Sequence, residues 1–255
     1  MKISACIVSY NSISSAEKKE EFTRCISSVL SNTKGDFKLY VVDNASSDST
    51  AEYVKEKFPE VQVIKNEKNL GFGAAHNVVI PLLDSDYHFI INPDIELRDD
   101  AINSLCEFMQ SHEDAGGVNP DIRYPSGEAQ PLAKRQPKLK YLFANHFSSD
   151  RESNPLVREY CMMDSDFSKP VRVENLSGCF IGIRTDLFKS LNGFDDRYFM
   201  YFEDFDLARR IMQTASLYYV PEAVVYHSWE RDSKKSKKLL SIHIGSMIKY
   251  FLKWR

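Results

Sequence analysis

Short apolar runs alternate with helix-period segments through the first hundred residues. Lys2 to Ser9 (KISACIVS) is mostly apolar, the pattern of a strand covered on both faces. Residues 20–32 carry a helical period. Residues 38–42 (KLYVV) form a second buried run ending at Asp43-Asn44, after which Ser46-Ser47-Asp48-Ser49 offers cap residues for a helix over 50–58. A third strand is predicted over 61–64 and a fourth over 87–91, with a helix between them that opens at Asn69-Leu70-Gly71-Phe72-Gly73 and runs to about residue 83. Helices between such strands predict an α/β fold, a Rossmann-like, mainly parallel sheet with right-handed crossovers and flanking helices.

The second half is less regular. A helix is predicted over 99–111 and a strand over 118–124, but residues 125–170 show weak periodicity, five prolines and a basic patch at Lys134-Arg135. A stretch of that length without clear elements is often a lid or an acceptor loop. Clear pattern returns over 174–183, followed by helices over 185–190 and 202–213, a strand over 217–220 and a C-terminal helix.

Composition and charge narrow the class. A hydrophobic content of 43% and a charged content of 27% are those of an ordinary globular protein. The five cysteines have no CxxC spacing and sit in apolar patterns, so they are expected as buried thiols. Met1-Lys2 leads into a strand with no leader-like segment, and no apolar run approaches the ~18 residues of a membrane span. A cytoplasmic protein is expected. The net charge of −3 hides an asymmetry: Arg231 to Arg255 holds eight Lys or Arg against Asp232 alone. An anionic membrane surface and nucleic acid are the two partners such a tail could serve.

Candidate chemistry gathers at strand ends, where open α/β sheets place their ligands. Ser9-Tyr10-Asn11 and Asp43-Asn44 follow the first two strands and carry groups able to read a nucleobase, although a capped turn explains the same residues. Gly71 and Gly73 would let a backbone approach a phosphate or sugar. His76 stands where a dinucleotide fingerprint needs glycine, and no P-loop occurs. Asn92-Pro93-Asp94 ends the fourth strand with one carboxylate that could ligate Mg²⁺ or Mn²⁺ against a diphosphate, or simply form a turn. Glu203-Asp204-x-Asp206 lies at a helix start, where acidic groups are favoured by the dipole. Asp204 would be a general base if it reached an acceptor hydroxyl, and His227 a second metal contact.

The ordered set Ile7-Val8-Ser9-Tyr10-Asn11, Val41-Val42-Asp43-Asn44-Ala45-Ser46, Asn69-Leu70-Gly71-Phe72-Gly73, Asn92-Pro93-Asp94, Ser177-Gly178-Cys179-Phe180, Gly193-Phe194-Asp195, Phe199 through Leu207 (FMYFEDFDL) and Tyr226-His227 resembles the inverting glycosyltransferases of family 2, with a GT-A fold. Within that family it is similar to bacterial rhamnosyltransferases of O-antigen and cell-wall polysaccharide synthesis. The resemblance implies that Ser9, Tyr10, Asn11, Asp43 and Asn44 hold the donor nucleotide. Gly71, Gly73, Asn77 and Asn92 would line the sugar-diphosphate, with Arg210 helping to neutralise it. Asp94 and His227 would bind Mg²⁺ or Mn²⁺, and Asn92 replaces the first Asp of the family's DxD motif. Asp204 would be the base, and Gly178, Cys179 and Glu203 would meet the acceptor.

The resemblance further implies one catalytic domain over 1–230, its nucleotide-sugar half at 1–98 and its smaller acceptor half at 99–230, followed by a basic amphipathic helix over 231–255. The implied donor is dTDP-rhamnose, and the implied acceptor is a glycan or an undecaprenyl-diphosphate-linked glycan. The C-terminal helix would rest on the anionic inner face of the plasma membrane, with no nucleic acid as partner. A UDP-linked hexose, N-acetylhexosamine or galactofuranose is the alternative donor. A sugar nucleotidyltransferase is the alternative enzyme, although no Gly-rich triphosphate loop opens the chain.

Overall fold

The computed structural model describes residues 1–130, 132–148, 150–228 and 237–255. Arg231, Lys234 and Lys235 of the basic tail lie outside the described residues.

The apolar runs become the centre of one sheet ordered β3-β2-β1-β4-β8-β6-β9-β5, with β7 paired to β9. Strands β1 (Lys2–Ser9), β2 (Asp36–Asp43), β3 (Gln62–Lys65) and β4 (Tyr87–Ile91) pair in parallel. Helices α1 (Ala16–Asn32), α2 (Thr50–Lys57) and α3 (Phe72–Asn77) lie between them in the chain. This half has the parallel form that the sequence predicts. Beyond β4 the sheet turns mixed: β8 (Phe180–Arg184) runs antiparallel to both β4 and β6 (Ala115–Arg123). The long strand β9 (Ser216–His227) pairs in parallel with β6 and antiparallel with β5 (Ile95–Glu96) and β7 (Val171–Val173). A bulge in β9 sets Val220 opposite Pro120 and Val224 opposite Asp121, so three extra residues are absorbed before the strand reaches His227.

Alternate residues of each central strand enter opposite cores, which is why the runs read as continuously apolar. Ile3, Ala5, Ile7, Leu39, Val41, Phe89 and Ile91 pack on one face with α1 and with α4 (Ala101–Ser111). Cys6, Tyr40, Val42, Ile90, Ile181 and Ile183 pack on the other with α3, α7 (Thr185–Ser190) and α8 (Glu203–Ile211). All five cysteines are buried and free.

Residues 125–170 are more structured than their sequence pattern. They include α5 (Leu139–Phe147) and α6 (Pro155–Tyr160), joined by Tyr141 stacking on Tyr160 at 5.3 Å. The last helix, α9 (Lys237–Lys253), docks on the start of α8 through Tyr250, which is fully buried among Tyr198, Phe202 and Phe205. Trp254 and Lys253 reach past it: Trp254 Nε1 donates to Asp206 Oδ1 at 2.8 Å, and Lys253 Nζ lies 2.6 Å from the same oxygen. Arg210 Nε donates to Asp206 Oδ2 at 2.8 Å. A fully buried carboxylate therefore ties the last turn of α9 to α8.

Candidate active site

The turn after β4 is fixed from two sides. Asn92 N–H donates to the Cys179 carbonyl at 2.8 Å, and Cys25 Sγ contacts the Asn92 carbonyl at 3.4 Å. Ile95 pairs with His227, so the side chains of Asp94 and His227 meet: Oδ2 and Nε2 are 3.2 Å apart. Neither Asp94 Oδ1 nor His227 Nε2 has a hydrogen-bond partner, although both atoms are buried. Gln130 fixes the ring from behind. Its Nε2 donates to the His227 carbonyl at 2.7 Å, which leaves its Oε1 to accept from Nδ1 at 3.1 Å. That assignment aims Nε2, the remaining nitrogen, at Asp94.

Burial alone would favour a neutral His227, but Cys179 and Asp94 beside it outweigh burial and raise its pKa to about 10 without a metal. A divalent cation would take the place of that proton. Orphaned carboxylate and imidazole atoms side by side fit such an ion. No cluster of three His, Cys, Asp or Glu able to cage an ion occurs among the described residues. The pair would therefore leave coordination positions for a substrate oxygen and water.

The second carboxylate centre is built by backbone strain. Tyr201 and Phe202 both adopt left-handed conformations, with φ of 70° and 67°. Bulky residues rarely tolerate that region. The sharp turn they make starts α8 with Glu203 and Asp204. Asp204 Oδ1 accepts the Phe205 N–H at 2.8 Å. Glu203 is buried and its Oε2 has no partner. Burial raises both carboxyl pKa values, opposed at Asp204 by N–H donors and by Lys134 nearby. The Asp204 charge adds to the rise at Glu203.

Two adjacent residues link the two centres. A Cβ added to Gly178 would lie 3.6 Å from Asp204 Cβ and 3.7 Å from the Phe72 ring. The next residue, Cys179, touches His227. Consecutive Cα atoms are only about 3.8 Å apart, so Gly178-Cys179 spans the gap between the lone carboxylate and the Asp94–His227 pair. At the other end of the cleft Asp43 Oδ2 is buried without a partner, and Tyr10 is 54% exposed at the end of β1. An open groove of about 500 Å³, lined by Ala45, Ser46, Lys65, Asn66 and Glu67, lies beyond β2 and β3.

Residues 4–191 match the family described as glycosyl transferase family 2. The chain belongs to that family. It is 30% identical over 220 residues to the N-acetylglucosaminyl-diphospho-decaprenol L-rhamnosyltransferase of Mycobacterium tuberculosis, an alignment that covers 80% of this chain and 70% of that protein. Rhamnosyltransferase WbbL of Escherichia coli is 26% identical over 72% of this chain and 71% of its own length. The O-antigen chain rhamnosyltransferase RfbN of Salmonella typhimurium is 24% identical over 89% and 67%. Among solved structures, Staphylococcus aureus TarS 1–349 superposes with a TM-score of 0.63 at 17% identity, covering 96% of this chain and 65% of that one. GalNAc-T7 with UDP, GalNAc and Mn²⁺ gives 0.66 at 16%, covering 90% and 44%. The fold is that of the GT-A glycosyltransferases.

Several polar residues expected at the donor serve this glycosyltransferase as struts instead. Asn44 Nδ2 donates to Asn69 Oδ1 (3.1 Å) and the Gly71 carbonyl (3.0 Å), while its Oδ1 accepts from Asn66 Nδ2 (3.1 Å) and Leu70 N–H (2.9 Å). The amide is saturated and clamps the loop. Asn77 is closed on the Phe194 backbone through both Nδ2 (2.7 Å) and Oδ1 (2.8 Å). Asn11 Oδ1 accepts from the Ser47 N–H and hydroxyl, and Ser9 is fully buried against the Val42 carbonyl.

Arg210 donates to Asp206 and to the carbonyls of Leu191 (3.0 Å) and Gly193 (2.8 Å), which hold it within the protein. Gly73 is held against the Phe194 side chain rather than facing a ligand. Gly71 has φ +84°, and any Cβ there would run into the Phe199 carbonyl. His76 is buried edge-on to Phe72 at 4.7 Å, and burial depresses its pKa to about 3. Glu203 lies buried beside Asp204 rather than presenting a surface to an acceptor, and Cys179 faces His227. Gln130 and Lys134 were not expected at the site. The prolines and weak period of 125–170 hid Gln130, and Lys134 was visible only as part of a basic patch.

Proposed function

We propose that this glycosyltransferase moves L-rhamnose from dTDP-rhamnose to a lipid-linked glycan, inverting the anomeric centre and using Mg²⁺ or Mn²⁺. The observation that carries the reaction type is the pair of centres on either side of Gly178-Cys179. One is a lone carboxylate able to take a proton, and the other is an orphaned carboxylate–imidazole pair able to hold a cation. The three rhamnosyltransferase relatives support the sugar and the polysaccharide context.

The acceptor hydroxyl oxygen attacks the anomeric carbon on the face opposite the diphosphate. The carbon–oxygen bond to the diphosphate breaks and its electron pair leaves with the nucleotide, while the hydroxyl proton passes to Asp204. A divalent ion held by Asp94 and His227 would neutralise charge on the departing diphosphate. Gln130 keeps the His227 nitrogen aimed at that position, and Glu203 remains protonated, which limits negative charge beside the base. A glycosidase would instead set two carboxylates about the scissile bond. Tyr10 and Asp43 remain the groups at the nucleotide end of the cleft with a surface or an atom to offer. The acceptor would be presented at the inner face of the plasma membrane. No helix among the described residues is long and apolar enough to cross a membrane.

A thermal-shift panel of nucleotide sugars with and without Mn²⁺ tests the donor, since a ligand of the native state raises the melting temperature with occupancy. The expected result is a metal-dependent shift with dTDP-rhamnose, and dTDP release on addition of a lipid-linked glycan. A larger shift with UDP-hexoses overturns the donor, and pyrophosphate release from a nucleoside triphosphate overturns the reaction.

A further inference from the structure

We infer that α5 and α9 together form a face that lies on an anionic phospholipid bilayer, with α5 inserting apolar side chains beside those of the C-terminal helix. The two helices were not linked by their sequence, since α5 falls in the stretch that lacked a clear pattern. In the fold they meet: Leu142 of α5 packs in the same cluster as Met247, Phe251 and Tyr250 of α9.

Each helix buries one side in that cluster and presents apolar side chains at four-residue spacing on another. On α9 these are Leu240, Ile244, Ile248 and Leu252, exposed by 44 to 54%. On α5 they are Leu139, Phe143 and Phe147, exposed by 53 to 74%, with the Phe143 and Phe147 rings stacked at 6.1 Å. Two apolar rows of that size on neighbouring helices exceed the scattered exposed leucines of an ordinary surface.

Charge selects the occupant. No acidic residue occurs in α5 or from Lys237 to Arg255, while Lys138, Lys140, Lys237, Lys238, Lys249 and Arg255 are exposed on or beside the rows. A second copy of this face would bring like charges together, whereas anionic headgroups would meet lysines flanking an apolar strip. The face also lies beside the reaction centre. Phe202, which starts the Asp204 helix, meets His243 of α9 edge to face, and Lys134 biases both His243 and Asp204. A lipid-linked acceptor would then reach the base directly from the bilayer. That last step rests on the proposed function, whereas membrane contact does not.

The test is flotation of the full chain with phosphatidylcholine vesicles, with and without phosphatidylglycerol, over a salt series and without any substrate. Wild type is expected to float with the anionic vesicles and to release as salt rises. Leu139→Ser/Phe143→Ser on α5 and Ile244→Ser/Ile248→Ser on α9 should each weaken binding about tenfold or more. An unchanged melting temperature and nucleotide-sugar shift in both would show that the fold and donor site persist. Flotation of the α5 variant equal to wild type overturns the two-helix face. So does wild type that ignores vesicles but is a dimer by light scattering and becomes monomeric in the same variants. Either failure leaves the reading of the donor site standing, because the thermal-shift panel reports on it separately.

Discussion

Replacing Asp206 by alanine tests how the C-terminal helix is held to α8. The carboxylate is fully buried and accepts from Arg210 Nε, Trp254 Nε1 and Lys253 Nζ at 2.8, 2.8 and 2.6 Å. Its cationic partners are themselves mostly covered, with side chains 14% and 18% exposed. Hydrogen bonds to charged groups contribute about 1.5–3 kcal/mol each, so plain addition gives roughly 4–9 kcal/mol. That sum overshoots, because Arg210 keeps two backbone carbonyls and Lys253 keeps Asp195 at 2.7 Å. Removing one partner of a buried charge pair costs about 3–5 kcal/mol, and Asp206→Ala should fall in that range. At about 2–4 °C per kcal/mol for a chain of this size, its melting temperature should drop by roughly 6–20 °C. Thermal scans and urea titrations with unchanged m-values provide the measurement. Asp206→Ala combined with Lys253→Met should lose less than the two single changes added, because they share a contact. A loss below about 1 kcal/mol, which is the level of an ordinary surface change, would show that the ion cluster does not hold α9.

Asp204→Asn should lower transfer about 10²–10⁴-fold with little change in melting temperature; nucleotide release at the wild-type rate would remove Asp204 as the base. Because burial raises the Asp204 pKa, the acid limb of kcat/KM should lie above the ordinary carboxylate range, with activity rising as pH climbs through it. Glu203→Gln should leave that limb in place, because a neutral Glu203 adds no charge while Asp204 titrates; a limb that drops would show that Glu203 is charged there. For stability the sign is opposite: folded-state carboxyl pKa values above the unfolded ones stabilise the fold at low pH, and that contribution is lost as pH rises through them. Gln130→Leu should weaken Mn²⁺ binding by about 10–100-fold, read as a metal-induced thermal shift, and an unaltered Mn²⁺ titration would show that the ring needs no such support. Gly71→Ala forces a side chain into the left-handed region and onto the Phe199 carbonyl, so a loss of at least about 1–3 kcal/mol is expected in urea titration; a wild-type midpoint would contradict the packing of that loop.

The parallel half of the sheet was legible because both faces of β1, β2 and β4 are covered, which leaves unbroken apolar runs. The bounds of β1 and of α7 agree with the expected ones to the residue. Where local composition and topology part, the sequence reading faltered. Residues 174–183 read as one stretch of clear pattern, yet the Ser177-Gly178-Cys179 turn divides them, and that turn joins the two centres. The helix after Gly71 was expected to reach residue 83, but it ends at Asn77, with a 3₁₀ turn over Ile80–Leu82 that contains Pro81. The positions of Asp94 and His227 at strand ends, where their side chains meet, and of Asp204 at a helix start were legible from the pattern. Asn44, Asn77 and Arg210 were misjudged for one reason: a polar side chain at a loop looks the same whether its partner is a ligand or a carbonyl from a distant segment.

The bulge in β9 makes the metal-side imidazole depend on a count. Side chains alternate along a strand, so removing a single residue from Pro221-Glu222-Ala223 leaves β6 and the first half of β9 undisturbed, yet rotates everything downstream by half a turn. His227 would then point away from Asp94 while every contacting residue remained in the chain. Length variation at this one spot can thus separate the imidazole from Asp94 without altering either residue.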